Sequence, residues 1–347
     1  MENISCDPKN SPKVSVILVN WNGKKFLPVC LKSLQDQTFT DFEVILVDSG
    51  SHDGSVELLR EAYPWVRLVL LDSNTGFANG NNRGFSIARG STYIIALNND
   101  TQVDPHWLEE LVAVAESSPE VGMVGSRICT WDNHDIIDSL GVTLCPDGMS
   151  RGYKRNAHFS ALSVAKIEKI LLPSACSALY RRKMLDEIGF FDDDLFVYCD
   201  DTDLGLRGRL AGWQALLARD SIVYHRYSST GGVFSPQKLY LVERNHFWAA
   251  MKSFPLTMLL ALPFWTIVRY FVQTKLVLEA KGAGGQFRNS SPKDLIKAVL
   301  RGIWDAARGL PSISRKRRSM IRRLSDKEMR QLLKTYKLTF SELLDAG

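Results

Sequence analysis

Four short apolar runs alternate with polar, turn-rich segments over the first hundred residues of the chain. The runs span residues 14–19, 42–47, 66–71 and 93–97, and each is rich in valine, isoleucine or leucine. Between them, apolar residues recur at the three- and four-residue spacing of helices, as in residues 26–34. This alternation predicts an α/β fold, in which right-handed helical crossovers connect a mostly parallel sheet.

Polar side chains follow three of these predicted strands, at the point where each strand ends. Asn20 follows the first strand, Asp48 the second, and Asn99 and Asp100 come just after the fourth. Ligands of parallel sheets bind beyond the carboxyl ends of the strands, so we expect these loops to form one site. A carboxylate such as Asp100 suits a hard divalent cation, which takes oxygen ligands. The alternative is an Asx-turn or a helix cap ahead of Pro105.

Residues 74–84 form an unusual segment rich in glycine and asparagine, NTGFANGNNRG. The segment lacks the GxGxxG pattern of dinucleotide-binding folds. Its regularly spaced glycines allow close approach of the backbone, and its Asn and Arg side chains can bond phosphate or sugar hydroxyls. The same spacing suits a helix packed closely on the sheet, and the pattern alone does not decide between the two interpretations.

Two further groups carry ionisable side chains suited to catalysis or metal binding. Asp200 and Asp201 are adjacent carboxylates, so one of them can have a raised pKa and act as a general base. The alternative is capping of the helix predicted to follow, and for Asp203 we expect this structural role. His225 lies at the end of a predicted strand, where it is either structural or a metal ligand.

The C-terminal region differs in charge from the rest of the chain. Residues 254–347 contain 18 Lys and Arg against 7 Asp and Glu. Residues 254–268 are nearly all apolar, but Arg269 interrupts the run before it reaches the roughly 20 residues of a spanning helix. Together with the basic cluster at 314–323, this pattern predicts amphipathic helices that lie on an anionic membrane surface. The alternative is a helical bundle that closes against the α/β domain.

Composition excludes several other classes of protein. With 45% hydrophobic and 23% charged residues, the chain is typical of a globular protein rather than a disordered or polytopic membrane protein. Its six cysteines form no CxxC pair, so we expect neither a disulfide framework nor a zinc site. The first residues lack the apolar core of a signal peptide, so we do not expect secretion. The basic cluster has no interleaved aromatic residues, so nucleic acid is not an expected partner.

Taken in order, the motifs of residues 13–245 resemble those of the family-two nucleotide-sugar glycosyltransferases with the GT-A fold, especially the rhamnosyltransferase-like branch. The motifs are VSVILVNWNG, VDSGSHDGS, NTGFANGNNRG, LNNDT, IGFFDDDLFVYCDDTDLGLR and VYHRYSS. The resemblance implies a Rossmann-like, mixed and mostly parallel sheet flanked by helices. The implied domains are a flexible tail (1–12), a glycosyltransferase domain with a nucleotide-binding half (13–115) and an acceptor-binding half (116–245), and an amphipathic, membrane-associated helical extension (246–347).

The resemblance also implies a role for each candidate residue. Asp201 would be the catalytic base, beside Asp200 at a position where the family usually has Glu. The residues expected to bind the nucleotide-sugar are Asn20, Asp48, Asn74, Gly76, Asn82, Arg83 and Asn99. Asp100 and His225 would hold Mg²⁺ or Mn²⁺. Residues 173–176 would form an acceptor loop, and the motif at 243–245 would face the acceptor diphosphate.

These roles predict an inverting, metal-dependent glycosyltransferase at the cytoplasmic face of the cell membrane, bound peripherally. Its expected partners are a dTDP- or UDP-sugar carrying rhamnose or another hexose, and a glycan or polyprenyl-diphosphate-linked acceptor in cell-surface polysaccharide synthesis. One alternative is a nucleotidyltransferase, but the segment after the first strand lacks the glycine-rich, basic loop that such enzymes need. Another is a catalytically degenerate, sugar-nucleotide-binding membrane scaffold, against which the presence of Asp48, Asp100 and Asp201 argues.

Overall fold

The computed structural model describes residues 11–88, 90–226, 235–278 and 291–338, together with residue 342. Most of the predicted N-terminal tail lies outside the described residues, and so do the last three residues of the VYHRYSS motif. For residues 275–278 the description is limited to the backbone.

A ten-stranded mixed sheet forms the centre of the protein. Its strands are β1 (Val14–Asn20), β2 (Phe42–Ser49), β3 (Arg67–Leu71), β4 (Tyr93–Asn98), β5 (Thr101–Val103), β6 (Val121–Thr130), β7 (Ile137–Ser139), β10 (Ile167–Lys169), β11 (Ser177–Arg181) and β12 (Gln214–His225). The order is β10-β12-β6-β11-β4-β1-β2-β3, with β5 paired to β12 and β7 to β6. β1, β2, β3 and β4 run parallel, and β11 lies antiparallel between β4 and β6. The short strands β8 (Val142–Leu144) and β9 (Ser150–Gly152) form a separate antiparallel pair.

Helices cover both faces of this sheet. They are α1 (Leu27–Gln35), α2 (Ser55–Ala62), α3 (Gly76–Ile87), α4 (Trp107–Glu116), α5 (Arg182–Ile188), α6 (Asp200–Leu210), α7 (Pro236–Ser253), α8 (Leu256–Leu278), α9 (Pro292–Arg308), α10 (Leu310–Ser319) and α11 (Asp326–Thr335). Alternate residues of β1 enter different apolar layers: Val16 and Leu18 pack with α1 and α4, and Ile17 packs with α3 and α6. Because both faces of the strand are buried, most of its residues are apolar, and the strand is a nearly continuous apolar run in the sequence.

The glycines of α3 pack directly on β1. A Cβ atom at Gly80 would lie 2.7 Å from Cγ1 of Val19, and one at Gly84 would lie 2.5 Å from Cγ2 of Ile17. Both distances are shorter than real Cβ contacts, so only glycine lets the helix approach the strand this closely. The helix-packing interpretation of the glycine-rich segment is therefore confirmed at these two positions.

Part of the basic cluster at 314–323 binds the body of the protein. Lys316 Nζ lies 2.5 Å from Oδ1 of Asp192, and Arg317 donates to the carbonyl of Lys252 over 2.9 Å. Carbonyl groups at the C-terminus of a helix need donors from outside it, and Arg317 supplies one to α7. These contacts are the ones expected if the C-terminal region forms a helical bundle against the α/β domain. Fewer cations of the cluster are therefore available to bind an anionic surface.

The helix α7 continues without a break through the domain boundary predicted after Asn245. The boundary therefore falls inside a helix, and α7 contacts both α6 of the α/β body and the C-terminal helices α9 and α10. α8 follows and contains Pro263. By length and apolar composition alone, α8 is able to cross a membrane over Leu256–Thr274, and core helices of other proteins pass the same test.

Candidate active site

The ends of β1 and β2 and the segment after β4 are joined by a chain of side-chain hydrogen bonds. Asn20 donates from Nδ2 to Oδ2 of Asp48 over 2.8 Å and accepts at Oδ1 from Nδ2 of Asn99 over 2.6 Å. Asp48 also accepts from the N–H of Ser51 over 2.9 Å. Asn20, Asp48 and Asn99 are all buried. The three loops therefore converge on one edge of the sheet, as their position in the sequence predicts, with Asn20 at the centre.

The other residues predicted to bind the nucleotide lie in α3 or just before it. Asn74 is exposed, and its Oδ1 accepts from the N–H of Gly76 over 3.0 Å, so an Asx-turn leads into the helix. Asn82 is engaged by the protein itself. Its Nδ2 donates to the carbonyl of Phe191 over 2.8 Å, and its Oδ1 accepts from the N–H of the same residue over 3.1 Å.

Arg83 lies on the exposed side of α3. The following residue, Gly84, packs level with Ile17, three residues before the end of β1. Arg83 is therefore roughly 10 Å, or two helical turns, behind the sheet edge that holds Asn20 and Asp48. The structure brings Asn20, Asp48 and Asn99 together and leaves Asn82 and Arg83 outside this group.

The predicted metal ligands Asp100 and His225 face each other in a buried polar cluster. Nε2 of His225 lies 3.4 Å from Oδ1 of Asp100, and Nδ1 lies 2.7 Å from Oδ2 of Asp138. Asp138 also pairs with Arg155 over 2.9 Å. Burial by itself would lower the pKa of His225, but its interaction with Cys176 and its hydrogen bonds to Asp100 and Asp138 raise that pKa well above its usual value.

The donor set of this cluster fits a divalent cation. A ligating histidine generally donates its second ring N–H to a carboxylate, and Asp138 occupies that position on His225. Asp100 supplies an oxygen on the Nε2 side, and Mg²⁺ is commonly held by one or two carboxylates together with phosphate oxygens and water. Among the described residues, no group of three or more His, Cys, Asp or Glu side chains is arranged to hold a metal. A cation at Asp100 and His225 would therefore depend on phosphate and water for its remaining ligands.

Asp200 and Asp201 begin α6 and differ in exposure. Asp200 is buried, and its Oδ1 has no hydrogen-bond partner among the described residues. Burial, and then the charge of Asp201, raise the pKa of Asp200 well above its usual value. Asp201 is partly exposed and accepts from the N–H groups of Ala175 (3.3 Å) and Thr202 (2.7 Å), but burial still raises its pKa. The pair is thus suited to carry a proton on Asp200 and to keep Asp201 as an accessible, ionised carboxylate.

Residues 175 and 176 connect this pair with the histidine cluster. The N–H of Ala175 contacts Asp201. The next residue, Cys176, accepts at its carbonyl from the N–H of Asn98 over 2.9 Å, and its thiol lies beside His225. Asp201 and His225 therefore contact consecutive residues of the same segment. The segment expected to form the acceptor loop therefore lies between the candidate base and the candidate metal ligands.

A strained turn at 195–199 leads directly into the aspartate pair. Three non-glycine residues of this turn have φ between 61° and 72°, which L-residues rarely adopt: Phe196, Tyr198 and Cys199. Asn245 of α7 is fully buried, and its Nδ2 lies 2.9 Å from each of the carbonyl oxygens of residues 195, 197 and 198. The carboxamide of Asn245 thus holds the turn that positions the two aspartates.

The motif at 243–245 has partners within the protein rather than the expected position facing an acceptor diphosphate. Glu243 is buried and accepts both arms of the Arg269 guanidinium, over 2.9 and 3.0 Å. Arg244 donates to the carbonyls of Asp194 and Leu195. The reason is that backbone carbonyls of an irregular turn must find donors outside regular secondary structure, and α7 supplies them.

A buried ion network supports the same turn from its other end. Nζ of Lys252 lies 2.6 Å from Asp192 and 2.5 Å from Asp203, and Arg207 pairs with Asp203 over 2.9 Å. Burial opposes ionisation of Asp203, but Lys252 and Arg207 lower its pKa below the usual value. Asp203 is therefore structural, as expected, but through its ion pairs with Lys252 and Arg207 rather than as a cap of α6.

Sequence reasoning missed Asp138, Arg155 and Lys252. Asp138 and Arg155 stand alone in an irregular part of the chain, and no spacing pattern links them to His225. Lys252 follows the apolar residues of the sequence WAAM, and a lysine among buried residues is almost always paired. That rule gives a signal that a carboxylate partner exists, but not which one.

Comparison with known proteins identifies relatives of this chain. Residues 15–189 match the family model for glycosyl transferase family 2. N-acetylglucosaminyl-diphospho-decaprenol L-rhamnosyltransferase of Mycobacterium tuberculosis is 28% identical over 62% of this chain and 77% of the relative. Undecaprenyl-phosphate 4-deoxy-4-formamido-L-arabinose transferase of Aeromonas hydrophila is 31% identical over 51% of this chain and 59% of the relative.

Solved structures show the same architecture. A mannosyltransferase from Pyrobaculum calidifontis, solved with GDP-Man and Mn²⁺, superposes with a TM-score of 0.55 at 18% identity. The match covers 87% of this chain and 90% of the mannosyltransferase. At this identity the likeness concerns the fold alone, and it confirms the predicted GT-A fold.

Proposed function

The chain belongs to glycosyl transferase family 2, and we propose that it moves rhamnose or another hexose from a dTDP- or UDP-sugar to a hydroxyl of a lipid-linked acceptor. It is a glycosyltransferase enzyme, similar to transferases of cell-envelope sugars. The names of two relatives specify decaprenol- and undecaprenyl-linked substrates, which supports an acceptor of the polyprenyl class. The nucleotide base, the sugar, metal dependence and inversion belong to the proposal.

The proposal depends above all on Asp201. Its carboxylate is the partly exposed member of the pair, and its pKa is raised. It contacts Ala175, and the next residue, Cys176, lies beside His225. A base works best when its pKa approaches the working pH, and burial moves Asp201 in that direction. Asp200, with a pKa that is raised further, is suited to remain neutral beside it.

The reaction is a single displacement. Asp201 accepts the proton of an acceptor hydroxyl, and the acceptor oxygen forms a bond to the anomeric carbon of the donor sugar. The bond from that carbon to the nucleoside diphosphate breaks on the opposite side, so the anomeric configuration inverts. Mg²⁺ or Mn²⁺ bound to Asp100 and His225 would supply positive charge for the departing diphosphate. A second nucleophile is not needed in this scheme.

The donor nucleotide is proposed to lie at the edge formed by Asn20, Asp48 and Asn99. The hydrogen bonds that join these side chains fix the loops after β1, β2 and β4 in one arrangement. Such pre-formed loops bind without first having to be ordered. The polyprenyl class of acceptor also supports the proposed location, peripheral at the cytoplasmic face of the cell membrane.

Thermal-shift titration tests the donor part of this proposal. The full chain is titrated with nucleoside diphosphates and their sugars, with and without Mg²⁺ or Mn²⁺. A ligand at a hundred times its Kd stabilises the native state by about 2.7 kcal/mol. We expect a metal-dependent shift with UDP or dTDP compounds, reduced in Asp48→Ala and Asp100→Ala.

A matched variant separates binding from catalysis. Asp201→Asn is expected to keep the donor-induced shift and to lose transfer, because the amide cannot accept the proton. A well-folded wild-type protein that shows no shift with any pyrimidine nucleotide contradicts the proposed donor and favours the catalytically degenerate scaffold.

A further inference from the structure

A stripe of exposed apolar side chains runs along α8. Its members are Leu256, Leu260, Phe264, Ile267 and Phe271, of which Leu260 is 80% and Phe271 74% exposed. At 100° per residue these five positions fall within an arc of about 80°. The stripe is roughly 22 Å long, because fifteen residue steps separate its ends. Isolated exposed apolar residues are common, whereas an aligned row of this length marks an interaction surface.

The neighbouring helix α9 carries a similar stripe bordered by positive charge. Ile296, Leu300 and Trp304 are each more than 60% exposed, and the helix buries small residues on its opposite side. Lys293 and Lys297 lie beside this stripe and are exposed. The two acidic residues of α9 project about 160–180° away from Ile296 on the helical wheel. An apolar stripe with cations beside it is typical of helices that lie in the interface of an anionic membrane.

Both helices pack on the same part of α7. Arg269 of α8 binds Glu243, and Gly302 of α9 packs so closely that a Cβ atom there would lie 2.9 Å from Cβ of Glu243. Consequently α8 and α9 meet α7 at the same residue, and each helix carries its apolar stripe on the side away from that contact.

The buried side of α8 shows that this helix is fixed to the protein. Leu262, Thr266 and Arg269 face inward at three- and four-residue spacing, and Arg269 is completely buried. Its guanidinium binds Glu243 of α7 and Asp147 of the loop after β8, the latter over 2.5 Å. A membrane-crossing orientation would separate this arginine from two carboxylates that are themselves buried, which carries a large free-energy cost.

We propose that the apolar stripes of α8 and α9, with Lys293 and Lys297, form a docking face for an anionic lipid bilayer, on which the protein lies without crossing it. The inference rests on the proposed transfer to a lipid-linked acceptor, and it assigns the face that meets the membrane. Charge favours the bilayer over a second copy of the chain, because self-association through this face would bring its lysines towards like charges. α8 itself contains no Asp or Glu in its sequence to pair with them.

Vesicle flotation of the full chain tests this face. Vesicles of phosphatidylcholine alone are compared with vesicles that also contain phosphatidylglycerol, and we expect binding to depend on the anionic lipid. Lys293→Gln/Lys297→Gln is expected to weaken partitioning roughly 30-fold, since each cation near an anionic surface contributes about fivefold. Its control is Arg60→Gln/Lys183→Gln, which removes two exposed charges from α2 and α5 and should leave partitioning unchanged.

A second pair of variants tests the apolar part. Leu260→Gln/Phe271→Gln is expected to reduce partitioning more than about tenfold. The control, Leu70→Gln/Ile167→Gln, replaces exposed apolar residues of β3 and β10 and should have no effect. Alkaline carbonate is expected to release the wild-type protein from bacterial membranes, as it does with peripheral proteins.

Three results overturn the inference. Resistance to carbonate, with release only by detergent, means that α8 crosses the bilayer. Equal partitioning of the lysine or apolar variants and their controls means that another face binds. Absence of vesicle binding, with a dimer in light scattering that the apolar variant dissociates, assigns the face to a second copy. The nucleotide-induced thermal shift is measured on the same preparations, so a failed docking face is distinguished from a failed donor assignment.

Discussion

Replacement of Asn245 by alanine is expected to impair catalysis far more than it impairs folding. The side chain lies in α7 and does not belong to the proposed substrate contacts, but it holds the carbonyls of the turn that leads into Asp200 and Asp201. Without the carboxamide, the carbonyls of residues 197 and 198 lose this donor, whereas the carbonyl of Leu195 keeps Arg244. We therefore expect the turn to relax and to displace the aspartate pair with it.

The size of the effect follows from the hydrogen bonds and the backbone strain. A carboxamide has two N–H hydrogens, so Asn245 satisfies at most two of the three carbonyls fully at one time. Two buried carbonyls left unpaired cost about 1–3 kcal/mol each. The three residues with positive φ store strain of about 1–3 kcal/mol each. Since the lost stabilisation is comparable with the strain, the strained conformation is no longer maintained, and a displacement near 1 Å lowers kcat roughly a hundredfold.

The assay measures kcat, KM and Tm for Asn245→Ala and for a matched control, Gln37→Ala. Gln37 is also a buried carboxamide bound to backbone groups, with contacts to Ser33, Asp104 and Leu108, away from the turn. Both variants should lose a few degrees of Tm, and only Asn245→Ala should lose kcat with donor KM little changed. If the two variants lose stability equally and Asn245→Ala keeps kcat within about threefold of wild type, the positioning argument is wrong.

Three further predictions concern the charged groups of the site. Asp201→Asn should lower kcat by roughly 10²–10⁴ in steady-state kinetics, whereas Asp200→Asn should keep it within about tenfold, because an amide resembles a neutral carboxyl; equal losses would contradict a protonated Asp200. The acid limb of the pH profile of kcat/KM should have its midpoint above the ordinary Asp pKa near 4, since Asp201 acts ionised and its pKa is raised. A midpoint at or below that value contradicts the assignment. Lys252→Met should lower the free energy of unfolding, measured with denaturant, by about 3–5 kcal/mol. The folded pKa values of Asp192 and Asp203 lie below their unfolded values, so the stabilisation is present above about pH 4 and is lost as pH falls through the folded pKa; an unchanged acid slope in the variant would refute the pairing.

The sheet edge was predictable because two simple patterns coincide there. Apolar runs identify the parallel strands, and the polar residue after each run marks its carboxyl end, so Asn20, Asp48 and Asn99 are expected together. Their mutual hydrogen bonds were not predictable, because they depend on side-chain direction as well as position. The position of the sheet edge can therefore be predicted from the strand pattern, whereas the hydrogen bonds between its side chains depend on the tertiary structure.

The segment at 74–84 shows the limit of such pattern reading. Glycines four residues apart are compatible with ligand approach and with helix packing, and only the positions of Val19 and Ile17 decide in favour of packing. The motif at 243–245 shows a similar limit. Its polar residues are those that bind phosphate, but they also suit the carbonyls of an irregular turn, and the sequence carries no sign that such a turn lies next to α7.

The basic C-terminal region combines both alternatives that the sequence left open. Lys316 and Arg317 are used inside the helical bundle, while Lys293 and Lys297 remain exposed beside apolar residues. The net charge of the C-terminal region therefore overstates the positive charge that can bind a membrane surface. A cation that pairs with Asp192 or with a carbonyl at a helix end already has its partner within the protein.

The helix α7 connects the aspartate pair with the proposed membrane face. Glu243 binds Arg269 of α8, and Asn245, two residues later, binds the turn before Asp200. Two residues correspond to about 200° on a helix, so these side chains leave α7 on nearly opposite sides. The exposed stripe of α8 lies on the side opposite Arg269, so both α7 and α8 separate the catalytic turn from the docking face, a distance of about two helix diameters or roughly 20 Å. If the acceptor is lipid-linked and held at the proposed docking face, its sugar and diphosphate have to span about this distance to bring a hydroxyl to Asp201.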